Sequence, residues 1–354
     1  MLIAGGGTGG HLYPGIALAR ELQRRDAAAE VSFVGTATGL EARVIPREGF
    51  PLDLIRSAGL KGKSIASRLR GLALLPLSAL DAWQVISTRR PAVVVGVGGY
   101  SSGPVLALAA LRRYPTMVLE QNALPGITNR LLSPLVRAAA VNFEEALRFF
   151  PRTGFVAGNP VRPEFFAPAV QEAHERKVRV LIFGGSQGAH AINLAVVAAA
   201  PQLAASGLEL EITHQTGERD LPLVRDAYAR AGLDARVEAF LYEMHHEMSR
   251  ADMVVARAGA TTLSELAAAG RPAVLVPLPT AADDHQRRNA EAFARAGGAV
   301  VLDEKALTGE SLAGAVLALA RDAERRKVMG DRARSLAKPD AAARIADRVQ
   351  ALAG

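Results

Sequence analysis

The chain has 354 residues, 49% of them hydrophobic and 22% charged, enough for two ordinary domains with substantial cores. It has no cysteine, which excludes disulfides and thiolate metal sites and fits a reducing cytoplasm. The net charge of +7 is uneven: residues 1–157 hold 18 Lys and Arg against 10 Asp and Glu, and residues 158–354 hold 24 against 25.

Such a basic half suits a polyanionic partner, but only 5% of residues are aromatic and they do not alternate with the basic ones, which argues against nucleic acid. No signal-peptide pattern precedes the first apolar run, and no stretch of about 18 uncharged apolar residues reads as a membrane span.

In chain order, Met1–Ala4 reads as a buried parallel strand that breaks into Gly5-Gly-Gly-Thr-Gly-Gly-His11, and a helix is expected from Pro14 to Arg24. A second strand, Glu30–Gly35, leads to a helix over Leu40–Glu48. A basic and leucine-rich stretch, Lys61–Leu80 with Trp83, follows. The strand Ala92–Gly96 runs into Val97–Pro104 and a helix over Val105–Leu111. Thr116–Glu120 is a strand, Gln121-Asn122 a polar loop, and Thr128–Leu135 a helix. This alternation is that of βαβ units in a parallel sheet.

Gly158-Asn-Pro-Val-Arg-Pro163 marks a domain boundary, with two prolines and a glycine in six residues. A fresh strand, Val178–Phe183, ends in Gly184-Gly-Ser-Gln-Gly188 and enters a helix over His190–Ala200. Strands near Leu208–Thr213, Val237–Phe240, Met253–Ala256 and Ala273–Pro277 follow, then helices over Gly309–Met329 and Ala341–Leu352. The expected domains are therefore 1–157 and 158–339, with a C-terminal helix in 340–354 packing back towards the first. Open parallel sheets bind ligands at the carboxyl ends of their strands.

Gly5-x-Gly7-x-x-Gly10 satisfies the dinucleotide-binding pattern, but the second strand ends Val34-Gly35-Thr36 without the carboxylate that would hold a ribose. A nicotinamide or flavin site is therefore disfavoured. A single glycine loop can also be a tight turn and nothing more. Three of them after strands, at 5–10, 96–103 and 184–188, favour ligand binding for the set. The histidines lack metal-ligand spacing. Ser186 can cap the next helix, contact a phosphate, or both. Thr262-x-x-Glu265 has capping-box spacing, which competes with a ligand role for Glu265.

Gly7-Thr-Gly-Gly-His11, Gly98-Gly-Tyr-Ser-Ser-Gly-Pro104, Glu120-Gln-Asn122, Gly158-Asn-Pro-Val-Arg162, Gly184-Gly-Ser-Gln-Gly188, His214-Gln-Thr-Gly217, Arg257–Glu265 and Asp284–Asn289 occur in one order. Together they resemble the MurG family of peptidoglycan glycosyltransferases, over nearly the whole chain. The resemblance implies an α/β fold of the GT-B type, with two Rossmann-like parallel-sheet domains and the active site in the interdomain cleft. It implies inverting transfer of N-acetylglucosamine (GlcNAc) from UDP-GlcNAc to the 4-hydroxyl of N-acetylmuramic acid (MurNAc). The acceptor would be undecaprenyl-diphosphate-MurNAc-pentapeptide, called lipid I, and the product lipid II. No cofactor and no metal would be required.

The same resemblance assigns donor contacts to Thr8, Gly9, Gly10, Asn122, Arg162, Gly185, Ser186, Gln187, Leu241, Ala260, Thr261, Glu265 and Gln286. Here Glu265 holds the ribose, Gln286 the sugar, and the backbone near Leu241 the uracil. Acceptor contacts fall to Gly7, Thr8, His11, Gly99, Tyr100, Ser101 and Asn122. His11 and Glu120 are the two candidates for the base, and His11 is favoured because an unperturbed imidazole titrates near neutrality. Peripheral attachment to the cytoplasmic membrane face through the 61–83 stretch is expected, against the alternative of an ordinary core helix, and with it a partner complex for wall synthesis or division. The rival readings are a glycolipid glycosyltransferase, a UDP-GlcNAc 2-epimerase and a non-catalytic UDP-sugar sensor.

Overall fold

The computed structural model describes residues 1–57, 74–167, 177–185, 188–280 and 284–354. They divide into two compact units, Met1–Arg162 with Lys338–Gly354, and Pro163–Ala337. Each is built on an all-parallel sheet.

In the first unit the strands are β1 (Leu2–Gly5), β2 (Ser32–Gly35), β3 (Leu52–Leu54), β4 (Val94–Gly98), β5 (Thr116–Glu120), β6 (Ala138–Val141) and β7 (Gly154–Val156). They lie in the order β3-β2-β1-β4-β5-β6-β7. The strand order reverses between β1 and β4, so the loops after these two strands flank a crevice at the carboxyl edge. Both strands are buried throughout, as expected where helices cover the two faces of a parallel sheet.

The helices are α1 (Gly9–Arg25), α2 (Glu41–Arg47), α3 (Leu75–Arg89), α4 (Ser102–Leu111) and α5 (Ile127–Leu132). Helix α1 starts five residues before the expected Pro14. Thr8 is its N-cap, with an extended backbone, and the Thr8 carbonyl accepts from the His11 and Leu12 amides. Pro14 sits inside the helix, close enough to its start to remove only one early bond. His11 therefore belongs to the first turn of a helix rather than to a loop.

The second unit has β8 (Lys177–Phe183), β9 (Glu209–Gln215), β10 (Asp234–Glu238), β11 (Met253–Ala256), β12 (Ala273–Leu275) and β13 (Ala299–Val301), in the order β10-β9-β8-β11-β12-β13. Here the reversal falls between β8 and β11. Helices α6 (His190–Ala204), α7 (Leu221–Ala231), α8 (Met244–Arg250), α9 (Ala260–Ala269) and α10 (His285–Arg295) follow the strands in turn.

The single helix expected over 309–329 is two, α11 (Gly309–Ala320) and α12 (Ala323–Arg334). The break is at Asp322, whose carboxylate caps α12 by accepting from the Arg325 amide at 2.9 Å. The last helix, α13 (Ala341–Ala353), belongs to the first unit and packs on α1. The unit boundaries fall after Arg162 and Ala337, where 157 and 339 were expected.

Candidate functional site

At the carboxyl edge of the first sheet the two glycine loops touch. The Gly6 amide donates to the Gly98 carbonyl at 3.2 Å, and a methyl group on Gly99 would overlap the Gly6 carbonyl. The His11 ring lies against Gly98: a β-carbon there would come within 2.6 Å of Nδ1. Gly7, Gly98 and Gly99 have φ of +84°, +96° and +85°, values that favour glycine. Tyr100 is half-exposed, and its carbonyl accepts from the Ser57 hydroxyl at 2.9 Å. Ser101 is buried with its hydroxyl towards the Val34 carbonyl, so its side chain points into the fold.

Glu120 ends β5 with 4% of its surface exposed. It accepts from the Asn122 amide (3.0 Å), the Asn122 side chain (3.3 Å), the Gly126 amide (3.2 Å) and the Asn129 side chain (2.8 Å). Burial pushes its carboxyl above the ordinary range, and these bonds pull the other way. The carboxylate thereby folds the 121–129 loop and fixes Asn122, which remains partly exposed.

Arg162, expected to contact the donor, is the last residue of the first unit. It is buried, stacks over Tyr13 at 4.6 Å and pairs with Glu48 at 3.4 Å.

At the carboxyl edge of the second sheet, the Gly188 amide donates to the Gly185 carbonyl at 3.0 Å. A side chain on Gly188 would overlap the Thr216 carbonyl, so Gly188 lies directly on the end of β9. Gln215 joins this turn to the next loop: its Nε2 donates to the Gly185 carbonyl at 2.7 Å, and its Oε1 accepts from the Leu241 amide at 2.8 Å. The Leu241 N–H is therefore committed within the protein. Ser186 and Gln187 lie outside the described residues, and the N-cap of α6 is Ala189, not Ser186.

Behind this turn runs a buried chain of polar groups. Asn193 donates from Nδ2 to the Thr216 carbonyl (2.9 Å) and to Asp220 Oδ2 (2.8 Å), so its Oδ1 is the acceptor facing His214 Nε2 at 3.1 Å. His214 then carries its proton on Nε2, and Nδ1 accepts from the Tyr228 hydroxyl at 3.0 Å. Burial lowers the His214 pKa to about 3 and pushes the Tyr228 hydroxyl up, so both are neutral. Asp220 also accepts from His190 Nδ1 at 2.9 Å. Burial pushes the Asp220 carboxyl up, but the Asn193 and His190 bonds outweigh it and hold it below the ordinary value.

On the β11 side, Gly259 is the N-cap of α9. Ala260 and Thr261 open the helix, and Glu265 falls in its second turn, buried. A capping box with Thr262 is thereby excluded, since the cap position is three residues earlier. After β12, the Leu278 amide donates to Gln286 Oε1 at 3.0 Å, which leaves the Gln286 Nε2 as the donor a sugar hydroxyl can use. Among the described residues, no three His, Asp or Glu side chains converge as a metal ligand set.

Two family models match this chain, the glycosyltransferase family 28 N-terminal domain over residues 1–141 and its C-terminal domain over residues 179–345. The chain belongs to glycosyltransferase family 28. Its two parallel-sheet domains are of the GT-B type. A relative from Anaeromyxobacter sp. (strain K) is 49% identical over 98% of this chain and 91% of its own length. It is named UDP-N-acetylglucosamine–N-acetylmuramyl-(pentapeptide) pyrophosphoryl-undecaprenol N-acetylglucosamine transferase. A relative from Pelobacter propionicus bears the same name, at 45% identity over 99% of this chain and 98% of its own. Among solved structures, the MurG of Acinetobacter baumannii matches with a TM-score of 0.72 and 31% identity, over 99% of this chain and 98% of that one.

Two residues that organise these crevices carry no mark of their own in the sequence: Glu41 lies within the helix expected over Leu40–Glu48, and Gln215 within the His214–Gly217 motif. The signal for Glu41 lies in Gly35 and Gly39, which have no positive φ and so no local reason to be glycine unless a side chain fills the space beside them.

Proposed function

We propose that this chain transfers GlcNAc from UDP-GlcNAc to the MurNAc 4-hydroxyl of undecaprenyl-diphosphate-MurNAc-pentapeptide. The observation that carries this reading is the near-full-length likeness to relatives named for that reaction, together with His11, Asn122, Glu265 and Gln286 just after a strand or within the first two turns of a helix.

The donor is held by the second unit. Its diphosphate meets the 184–188 turn, Glu265 accepts from the ribose hydroxyls, Gln286 donates to the sugar, and the Leu241 carbonyl meets the uracil. The first unit holds the acceptor along Thr8, Tyr100 and Asn122. In the reaction the acceptor oxygen attacks the anomeric carbon as the bond to UDP breaks, and configuration inverts. His11 takes the hydroxyl proton, and UDP departs with the bonding pair. Glu120, saturated by donors, positions Asn122 rather than serving as base.

The lipid-linked acceptor also fits peripheral attachment at the cytoplasmic membrane face. Leu75, Leu80 and Trp83 of α3 are 44%, 63% and 52% exposed, Leu111 is 73% exposed, and Arg112 stacks over Trp83 at 4.2 Å. Of the 61–83 stretch, residues 61–73 lie outside the described ones. Among the described residues, no helix is long and apolar enough to cross a membrane. A basic and apolar face of this kind lies on anionic lipid.

One assay tests the function: UDP release from UDP-GlcNAc with and without a lipid I analogue. Acceptor-dependent release is expected. Acceptor-free release with an altered sugar would replace the reading with an epimerase, and no release would replace it with a sensor. Loss of binding to anionic vesicles at low salt in Leu80→Asp/Trp83→Asp tests the attachment.

A further inference from the structure

Glu41 opens α2, yet its side chain reaches back into the first glycine loop, with 1% of its surface exposed. Oε2 accepts from the Gly7 amide at 2.7 Å. Oε1 accepts from the Thr36 amide at 2.8 Å and the Thr36 hydroxyl at 2.9 Å. A methyl group on Gly6, Gly35 or Gly39 would overlap this carboxylate or its stem. Gly35 and Gly39 have no positive φ, so space for Glu41, not backbone conformation, requires glycine there.

The contacts then run onward. Gly6 and Gly7 are fixed by Glu41, Gly6 is bonded to Gly98 and pressed by Gly99, and Gly98 forms the wall against the His11 ring. The turn that a glycine-rich loop ordinarily offers to an anion already holds one, supplied by the chain itself.

We propose that Glu41 is a positioning residue for the transfer reaction proposed above, on which this inference rests. It is the built-in anion of the first glycine loop, and it locks that loop onto Gly98–Gly99 so that His11 keeps its place. The acceptor diphosphate is accordingly kept out of the Gly5–Gly7 turn.

The test uses the full chain with Glu41→Gln, His11→Ala and the double variant. A glutamine fits the space but must turn its NH2 towards either the Gly7 amide or the Thr36 donors, so one side of the lock is lost. Glu41→Gln should lower kcat about 100-fold, the cost of an ångström-scale misplacement, with the KM for UDP-GlcNAc within about twofold of the parent. In the His11→Ala background the same substitution should cost little more, because the residue it positions is gone. Amide exchange at Gly7 and Thr36 should accelerate in Glu41→Gln whether or not substrate is turned over.

Parental kcat in Glu41→Gln, or an equal loss in both backgrounds, would overturn the positioning role. Unchanged exchange at both amides would overturn the lock itself. A parent chain that releases no UDP would sink the proposed function, and the exchange measurement would still decide the lock. Should Glu41→Gln fail to fold, Gly39→Ala crowds the same carboxylate and carries the same two readouts.

Discussion

The loops that follow β1 and β8 are built to one plan, strand to glycine turn to helix beside a reversal of strand order, yet they are held from behind by opposite chemistry. A carboxylate braces the first, where Glu41 accepts from Gly7. An amide braces the second, where Gln215 donates to Gly185 and accepts from Leu241. A phosphate brought within about 4 Å of Glu41 would meet a repulsion on the order of 4 kcal/mol at an effective dielectric of about 20, and one beside Gln215 would meet none. The motif alone does not tell an anion site from its mimic. The side chain behind the turn does.

If the first turn serves the acceptor's chemistry rather than nucleotide binding, the largest effect belongs to His11. His11→Ala should lower kcat by about 100- to 10,000-fold and leave the affinity for UDP-GlcNAc unchanged, measured by single-turnover kinetics and by equilibrium binding. Near-parental turnover with weakened acceptor binding would move His11 from base to binding group.

The two units should also part company in acid. His214 in the second unit has a folded pKa of about 3 against an ordinary value of 6.5, so the unfolded chain takes up a proton that the folded one refuses. Its contribution is complete above about 6.5 and is lost as pH falls from there towards about 3, on the order of several kcal/mol. Asp220 adds to the same trend below its ordinary range. In the first unit Glu120 works the other way: its folded carboxyl binds a proton more tightly than the unfolded one, so its cost is felt as pH rises and relieved in acid. The depressed carboxyls there lie near the surface, Asp81 paired with exposed Arg56 and Glu21 with exposed Arg24 and half-buried Arg25, and weigh little.

The second unit should therefore unfold at the higher pH. Trp83, the one tryptophan, reports the first unit, and circular dichroism reports both. Dichroism should fall before Trp83 emission changes, and His214→Gln should close that gap.

A sharper test of the two braces is Gln215→Glu, which gives the second turn an anion of its own. The new carboxylate faces the Gly185 carbonyl without a donor and adds charge beside the diphosphate. Binding of UDP-GlcNAc should weaken about 10- to 100-fold by calorimetry, with acceptor binding unchanged. Parental affinity would mean that the diphosphate does not use this turn.

Much of this architecture was legible because buried parallel strands read as short apolar runs: β11 spans Met253–Ala256, as expected, and β1, β5 and β8 lie within a residue of expectation. The short strands β3, β6, β7 and β13 were not, since runs of three or four residues are too short to carry a distinctive period. The family motifs marked Glu265 and Gln286, but not how they are oriented. Glu265 looked like a first-turn residue because the helix start is a glycine cap with no capping side chain. Glu41 carries no mark in the pattern of its own helix. Its partners Gly7 and Thr36 are local to other segments, and only the fold brings the three together.

The helices that leave the two turns differ as their braces do. Helix α6 is backed by the apolar face of α11, with Leu312, Ala313 and Val316 in the core. Helix α1 is backed by α13, through buried Ile345, Ala346 and Val349 and through Arg25, which pairs with Asp347 at 2.6 Å. That ion pair should matter least. The Asp347 side chain is 69% exposed, and Arg25 keeps Glu21 at 2.7 Å, Gln350 at 2.8 Å and the Ala343 carbonyl at 2.9 Å without it. Asp347→Ala should cost less than about 1 kcal/mol and shift Tm by no more than about 2–4 °C, whereas Ile345→Ala should cost about 2–5 kcal/mol. Calorimetric scans of the two variants decide between them. An Asp347→Ala loss as large as that of Ile345→Ala would make α13 a helix docked by charge, and α1 would then depend on electrostatics at both of its ends.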